Sequence, residues 1–275
     1  MLNKILDIER WGHLVPSPAI IALAVLVVTF VFVGRCQRSG LSRYHSLGVS
    51  LWGIIGGMIG ARVFYLLQDW KTTISYPSQI FDVSGGTASW GAYLGGGIGL
   101  IFYLKFYREK VLPYADVLSS CLGLGPFIGR WSCFLNGCCF GRPSELPWAV
   151  SYPRGSVPHL LQIDSGLLGD GAEFSLPIHP TQIYHSLIGL VLFGLMTWYW
   201  KKWKHKSGVT FFSYWILYCC MRFVLDYFRG DEARGFVGLL PVPQIMAISI
   251  VLLSSVGLFY CLQKEKKQIK KGKNN

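Results

Sequence analysis

The sequence predicts an all-α, polytopic membrane protein with about seven transmembrane helices. Of its 275 residues, 52% are hydrophobic and only 15% are charged, whereas a soluble domain has roughly 25% charged residues. The mean hydropathy is +0.40. The chain also contains apolar runs close to the roughly 20 residues that a helix needs to cross a bilayer. We therefore expect one transmembrane domain over residues 1–262.

Seven apolar runs have the length of membrane spans. The first ends at Arg35 without a small-residue cleavage pattern, so we expect a retained helix and not a signal peptide. The fourth contains Pro126 and several glycines, which predicts a kinked helix whose freed backbone groups are satisfied by protein or water. The approximate spans are 18–34, 47–67, 91–107, 114–134, 182–200, 209–228 and 243–262.

Basic residues are concentrated in every second loop, and this pattern predicts the orientation. The loops after spans one, three and five, together with the C-terminal segment, hold most of the 26 Lys and Arg residues. Short cytoplasmic loops collect such residues, so we expect the N-terminus outside and the C-terminus in the cytoplasm. The net charge of +12 then reflects topology and attraction to anionic membrane lipid, and we expect no nucleic-acid partner.

Two segments outside the predicted spans have predicted structures of their own. Residues 142–178 are rich in Pro and Gly and are expected to form an outer-side loop or cap. Residues 263–275 are rich in lysine, which is typical of a disordered cytoplasmic tail.

Ionisable residues inside predicted spans point to a site on the outer side. Each costs roughly 2.5 to 3.5 kcal/mol at the bilayer centre. Arg62, Arg130 and Arg222 fall within predicted spans, in the outer half or near the outer end of each. Arg222, Asp226 and Arg229 follow an i, i+4, i+7 spacing and share one helix face. The Arg222–Asp226 pair could simply neutralise itself, but several guanidiniums at one level favour an anionic phospholipid, since Arg pairs well with phosphate oxygens.

Other polar residues also fall on the predicted outer side of the membrane. The segment "IHPTQIYHS" places His179, Gln182 and Tyr184 at the start of the fifth span, where Pro at the first turn favours helix initiation. Asn136 follows the fourth span, and Trp90 precedes the third. His179 and Trp90 could equally be ordinary interfacial residues.

Four spaced motifs carry a family resemblance. They are "GRxxxFxNGxxxGR" at 129–142, "HPTQIY" at 179–184, "RxxxDxxR" at 222–229 and "GG-x4-GxxLGG" at 85–96. In order, spacing and predicted topology, the chain resembles the bacterial phosphatidylglycerol:prolipoprotein diacylglyceryl transferases from about residue 50 to 260.

The resemblance implies a multi-pass enzyme of the bacterial inner membrane that moves diacylglyceryl from phosphatidylglycerol to the lipobox cysteine of a secreted prolipoprotein precursor. Glycerol phosphate is released, and no cofactor is implied; we expect a monomer. Arg130 and Arg222 match the arginines expected to hold the phosphate and stabilise its developing charge. The residues expected to bind substrate are Arg62, Arg130, Asn136, Gly141, Gln182, Tyr184, Asp226 and Arg229.

The chain departs from the family pattern at positions that handle protons. Cys133 and Cys138 stand where Asn and Glu are usual, and Trp90 stands where a His is usual, while Asp226 replaces a Glu conservatively. The acceptor thiol must lose a proton to become a good nucleophile. Neighbouring arginines or His179 could provide for this, and Cys133 or Cys138 could itself act as a nucleophile. The predicted catalytic residues are Arg130, Arg222, His179, Cys133 and Cys138.

The three cysteines of the fourth motif allow further interpretations. Cys133, Cys138 and Cys139 could pack as small apolar residues, or Cys133 could form a disulfide with either of the others on an oxidising outer side. Metal binding together with His179 stays open, but we assign no metal site because no C-x2-C pair is present. The same scaffold could also serve a different acceptor or lipid, or a thiol-redox or metal-binding membrane protein. A transporter is disfavoured because no pair of broken helices recurs in the two halves.

Overall fold

A computed structural model describes residues 17–68, 70–76, 78, 86, 88–203, 206–230, 236–237 and 240–273. The regular secondary structure of its described residues is helical apart from one ribbon of two-residue antiparallel strands and isolated bridges, which confirms the all-α prediction. The helices are α1 Ser17–Arg38, α2 Arg43–Gln68, α3 Trp70–Ser75, α4 Ser89–Phe106, α5 Val111–Cys121, α6 Leu124–Leu135, α7 Val157–Asp164, α8 Thr181–Trp203, α9 Val209–Asp226 and α10 Val242–Lys273; the strands are β1 Phe236–Val237 and β2 Leu240–Pro241.

Five of these helices are long and apolar enough to cross a membrane, namely α1, α2, α8, α9 and α10. Helices α5 and α6 together make a sixth candidate, bent by 47°. The polytopic prediction is therefore confirmed for the described residues, while the count of seven and the orientation of the termini stay predictions. Helix α4, which corresponds to the third predicted span, is not among the candidates.

The bend of the fourth predicted span lies one turn before its proline. Helix α5 ends at Cys121 and α6 begins at Leu124, so Pro126 stands within the first turn of the second helix. A proline is tolerated there because the first turn of a helix has no intrahelical partners for its N–H groups. The sequence therefore predicted the kink correctly but not the residues at which the helix breaks.

The chain separates into two compact units, one of which comprises Thr29–Val117. Within it, α2 packs against α4 through glycines. A Cβ atom added to Gly60 would lie 2.8 Å from Cα of Gly95, and one added to Gly95 would lie 2.8 Å from Cα of Gly60. Small residues that permit such close approach are the usual basis of helix association in membranes.

The other unit contains the described residues up to Val28 and from Leu118 onward. In it, α6 packs on α8, α8 on α9, and α9 on α10. The segment 142–178 contains α7 and single β-bridges, and part of it joins a small buried core. That core consists of Phe134, Phe140, Val150, Tyr152 and Ile178.

The last helix runs further than the predicted seventh span. Helix α10 continues to Lys273 and so covers most of the segment 263–275 that was assigned to the tail. Lys, Glu and Gln are good helix formers, which gives a physical reason for the extension. The single-domain prediction over residues 1–262 stays a prediction.

Candidate active site

Three of the sequence motifs meet in one backbone ladder. The N–H of Gly141 donates to the carbonyl of His179 at 3.0 Å, and the N–H of His179 donates to the carbonyl of Arg142 at 3.0 Å. On the other side, the N–H of Arg142 donates to the carbonyl of Phe228 at 2.9 Å. The segment that follows α6 is thus held between the start of α8 and the end of α9, which brings the side chains of these motifs together.

Gly141 has a backbone reason to be glycine. A Cβ atom at this position would lie 2.6 Å from the carbonyl oxygen of His179 and 2.8 Å from that of Phe228. Carbon atoms normally keep about 3.5 Å or more from such neighbours, so any side chain would push the ladder apart. Gly141 was predicted as a substrate-binding residue, and that role stays a prediction; its contacts explain the glycine through packing.

A buried polar chain links α8 and α9. The Nη1 atom of Arg222 lies 2.6 Å from Nε2 of His185, and its Nη2 atom lies 3.8 Å from Oδ1 of Asp226. Nδ1 of His185 lies 3.2 Å from the carbonyl oxygen of Thr181. Because a carbonyl only accepts, Nδ1 carries the proton, and Nε2 is left to accept from the guanidinium. The ring is thus held as the neutral tautomer that presents an acceptor to Arg222.

Three guanidiniums gather in this unit. Arg222 and Arg229 are each only 8% exposed, while the Asp226 carboxylate is almost fully buried. Arg130 is half-buried on α6, and its charge interacts with those of Arg222 and Arg229. Buried like charges repel one another strongly when water is excluded. Their proximity therefore favours binding of an anion.

Next to the arginines lies a cluster of three thiols, formed by Cys133, Cys138 and Cys139. Their sulfur atoms all lie within 4.8 Å of one another. All three side chains are half-buried and carry free thiols. Cys139 adopts a left-handed backbone conformation with φ +58°, which is costly for a residue with a side chain and typical of functional sites.

The backbone of this cluster is fixed by the first turn of α8. The Thr181 hydroxyl donates to the carbonyl of Cys139 at 2.7 Å, and the Gln182 amide donates to the carbonyl of Cys138 at 2.8 Å. The N–H of Cys138 donates to the carbonyl of Cys133 at 3.1 Å. Each cysteine therefore has its main chain held by a hydrogen bond, and Gln182, predicted as a substrate ligand, is engaged in holding the cluster.

The thiols of the loop differ in acidity. Hydrogen bonds from the thiols of Cys133 and Cys138, helped by the positive charges of Arg229 and Arg130, hold the pKa of Cys139 below its ordinary value. The same sharing of protons, together with burial, raises the pKa of Cys138. The pKa values of these two neighbouring thiols are therefore displaced in opposite directions.

The remaining predicted residues of this unit are His179, Tyr184 and Asn136. The Trp148 indole donates to the hydroxyl of Tyr184 at 2.8 Å, and that hydroxyl lies 3.3 Å from Nδ1 of His179. The ring of His179 also packs edge-on against Phe228 at 5.4 Å. Asn136 caps the C-terminus of α6 with an exposed side chain.

Two predicted residues belong to the unit Thr29–Val117. Arg62 donates from Nη1 to the carbonyl of Gly86 at 3.0 Å and lies over the ring of Tyr65. Trp90 is 7% exposed and packs edge-on against Tyr93. Gly85, with which the fourth motif begins, lies outside the described residues.

The sequence prediction of the site omitted His185. A usable signal existed, since Thr181, Gln182, His185 and Ser186 are all buried on one face of α8 at the i, i+1, i+4, i+5 spacing of a helix stripe. A histidine on the buried face of a membrane helix is costly unless it has a polar partner. That reasoning could have paired His185 with an arginine of another span.

The fold and this site define a polytopic membrane protein with buried arginines beside a thiol cluster. The chain matches the family described as prolipoprotein diacylglyceryl transferase over residues 18–260, and it belongs to that family. A phosphatidylglycerol–prolipoprotein diacylglyceryl transferase of Clostridium tetani (strain Massachusetts / E88) is 31% identical over 259 residues, covering 94% of this chain and 95% of the relative.

Other relatives extend the same similarity. Phosphatidylglycerol–prolipoprotein diacylglyceryl transferase 2 of Clostridium perfringens (strain 13 / Type A) is 31% identical over 84% of this chain and 85% of its own length. The protein of that name from Trichormus variabilis (strain ATCC 29413 / PCC 7937) is 29% identical over 85% of this chain and 83% of its own. The similarity thus covers nearly the whole chain.

Proposed function

We propose that this protein transfers the diacylglyceryl group of phosphatidylglycerol to the cysteine thiol of prolipoproteins and releases glycerol phosphate. The observation that carries the proposal is the gathering of Arg130, Arg222 and Arg229 in a chain of the diacylglyceryl transferase family. Arg222 is paired with the carboxylate of Asp226, and the two further guanidiniums leave the group with an excess of positive charge that a phosphodiester would offset.

The arrangement of Arg222 supports a role in holding the phosphate. His185 and Asp226 contact two different nitrogens of its guanidinium, which fixes the plane of the group and leaves its other N–H donors for a ligand. A guanidinium positioned before the reaction stabilises charge on the leaving phosphate as the carbon–oxygen bond breaks, without having to reorganise. Arg130 would act on the same phosphate from α6.

The environment proposed for this reaction is the bacterial inner membrane. Five or six apolar helices support a multi-pass protein, and the alternation of basic loops supports a site on the outer side, where secreted precursors emerge. We further propose that the protein acts as a monomer, with Asn136, Gly141 and Tyr184 near the substrates.

Complementation tests the proposal. Depleting the conventional diacylglyceryl transferase in a host that requires it, while expressing this protein, is expected to restore lipid attachment to a reporter lipoprotein. A variant carrying Arg130→Gln and Arg222→Gln should not restore it. Failure of the unaltered protein to restore lipidation, when it is folded and inserted in the membrane, would contradict the proposed acceptor.

A further inference from the structure

We propose that Cys133, Cys138 and Cys139 bind a zinc ion whose open fourth position binds and deprotonates the acceptor thiol. This inference rests on the proposed transferase function and adds to it the group that activates the nucleophile.

The spacing of the three sulfurs suits a single metal ion. Zinc–sulfur bonds of about 2.3 Å place the sulfurs of a tetrahedral site about 3.8 Å apart, and these sulfur atoms all lie within 4.8 Å of one another. Closing the site requires the sulfur–sulfur distances to shorten by at most about 1 Å. Side-chain rotation of half-buried cysteines among their staggered rotamers allows such a shift. The ligand spacing differs from C-x2-C because α6 ends between Cys133 and the other two.

The main chain around these cysteines is built to hold them. Thr181 and Gln182 bind the carbonyls of Cys139 and Cys138 at 2.7 Å and 2.8 Å, as the supporting hydrogen bonds of metal sites do. Within the cluster, Cys139 adopts the left-handed conformation of φ +58°. Three cysteines that served packing alone would not require this strain.

The coordination set leaves a position open. Within the described part of the chain, the group contains no fourth His, Cys, Asp or Glu ligand, and the three cysteines are half-buried, so a fourth ligand can reach the ion. Catalytic zinc sites have three protein ligands and an open position for water or substrate. Zinc bound to three thiolates has a net negative charge, which the neighbouring guanidiniums of Arg130 and Arg229 would balance.

The buried side chains that could otherwise take the acceptor's proton are already engaged. Nε2 of His185 faces Arg222, and Nδ1 faces the carbonyl of Thr181. Asp226 is paired with Arg222. A metal ion removes the need for such a base, because a coordinating thiol loses its proton outright.

The proposed step is balanced without an oxidant. The acceptor thiol binds zinc and releases its proton to water. The bound sulfur then attacks the terminal glycerol carbon of the diacylglyceryl group, forming the carbon–sulfur bond. The carbon–oxygen bond to the phosphate breaks, and its electron pair leaves with glycerol phosphate, whose charge the arginines hold.

Cobalt substitution tests the site directly. The full-length protein, purified in detergent and reduced with a phosphine, is titrated with Co²⁺ alone, whose bonds to thiolate give charge-transfer absorption in the near ultraviolet. We expect about one Co²⁺ per chain, displaced by Zn²⁺. Replacing Cys133, Cys138 or Cys139 singly with Ser should lower Co²⁺ affinity at least about tenfold, since even supporting residues of metal sites contribute 10–100-fold. Cys220→Ser, which removes an exposed thiol on α9, is the matched control and should not change it.

The open position is tested with a lipobox peptide. Adding the peptide should change the visible d–d bands of the Co²⁺ protein, because a thiolate replaces water, whereas the same peptide with Ser for its Cys should not. Absence of a charge-transfer band, a band insensitive to all three substitutions, or no response to the peptide would overturn the inference. A disulfide among the three cysteines in protein isolated without reductant would also overturn it.

Transfer activity separates this inference from the function on which it rests. Removing zinc with a chelator should lower the transfer rate about 10²-fold or more, the contribution of a positioned proton acceptor, and Zn²⁺ should restore it. Full activity in metal-free protein would refute the zinc site and leave the transferase function standing. Peptide-responsive Co²⁺ binding without any transfer would support the zinc site and refute the function.

Discussion

Replacing Gly141 with Ala is expected to disturb the whole site through the backbone. The added Cβ would lie 2.6 Å from the carbonyl oxygen of His179 and 2.8 Å from that of Phe228. Reaching an ordinary separation of about 3.5 Å requires the segments of the ladder to move apart by roughly 0.7 to 0.9 Å. This strains the hydrogen bonds that Gly141 and Arg142 donate on either side.

The expected loss of stability and of transfer rate follows from these contacts. Overpacking a filled site costs about 1 to 3 kcal/mol, and weakening two backbone hydrogen bonds adds about 1 to 3 kcal/mol. A displacement approaching 1 Å at a catalytic site can lower a rate about 10²-fold. We therefore expect Gly141→Ala to lower both the free energy of unfolding and the transfer rate.

The assay compares initial rates of diacylglyceryl transfer from phosphatidylglycerol vesicles to a lipobox peptide, together with unfolding in detergent. Gly194→Ala is the control, because Gly194 lies within α8 and a Cβ there meets no atom within 4 Å. We expect that control to retain its rate and to gain up to about 1 kcal/mol of helix stability. Wild-type stability and rate in Gly141→Ala would refute the packing argument.

Three further substitutions test the polar contacts around α8. Arg222→Lys should lower the transfer rate about 10- to 100-fold. An ammonium cannot contact His185 and Asp226 in the same paired geometry, and charged hydrogen bonds contribute about 1.5 to 3 kcal/mol. An unchanged initial rate would contradict this. His185→Phe should destabilise the protein by about 1 to 3 kcal/mol, because it leaves a buried guanidinium donor unpaired. His185→Gln keeps an acceptor and serves as the control. Equal unfolding midpoints for the two variants would refute the hydrogen-bond assignment. Thr181→Val should cost about 1 kcal/mol through loss of the bond to the Cys139 carbonyl, and Thr181→Ser should recover most of it; unfolding in detergent measures both.

Much of the site was predictable because helix spacing is regular. The i, i+4 spacing of Arg222 and Asp226 predicted a shared face, and the structure has this ion pair at 3.8 Å. Pro126 and its neighbouring glycines predicted the interrupted fourth span, which appears as the bent pair α5 and α6. Both predictions depend on local geometry, which sequence spacing encodes directly.

What could not be predicted depends on contacts between distant segments. The need for glycine at position 141 arises from two carbonyls, those of His179 and Phe228, that only the folded chain brings near. The cluster of Cys133, Cys138 and Cys139 depends on turns with positive φ after α6. The spacing of the three cysteines in the sequence does not indicate such turns. The partnership of His185 with Arg222 joins two spans whose relative rotation is set by packing.

The proposed reaction of this chain alkylates a prolipoprotein thiol with the diacylglyceryl group of phosphatidylglycerol. The direct measurement is mass spectrometry of a lipobox peptide incubated with the purified protein and phosphatidylglycerol vesicles, with glycerol phosphate followed in parallel. The predicted result is a thioether-linked diacylglyceryl peptide formed in equal amount to glycerol phosphate, and lost when Arg130 and Arg222 are both replaced by Gln. An unmodified peptide with the folded, zinc-supplied protein, or a product formed equally by the double variant, would contradict it.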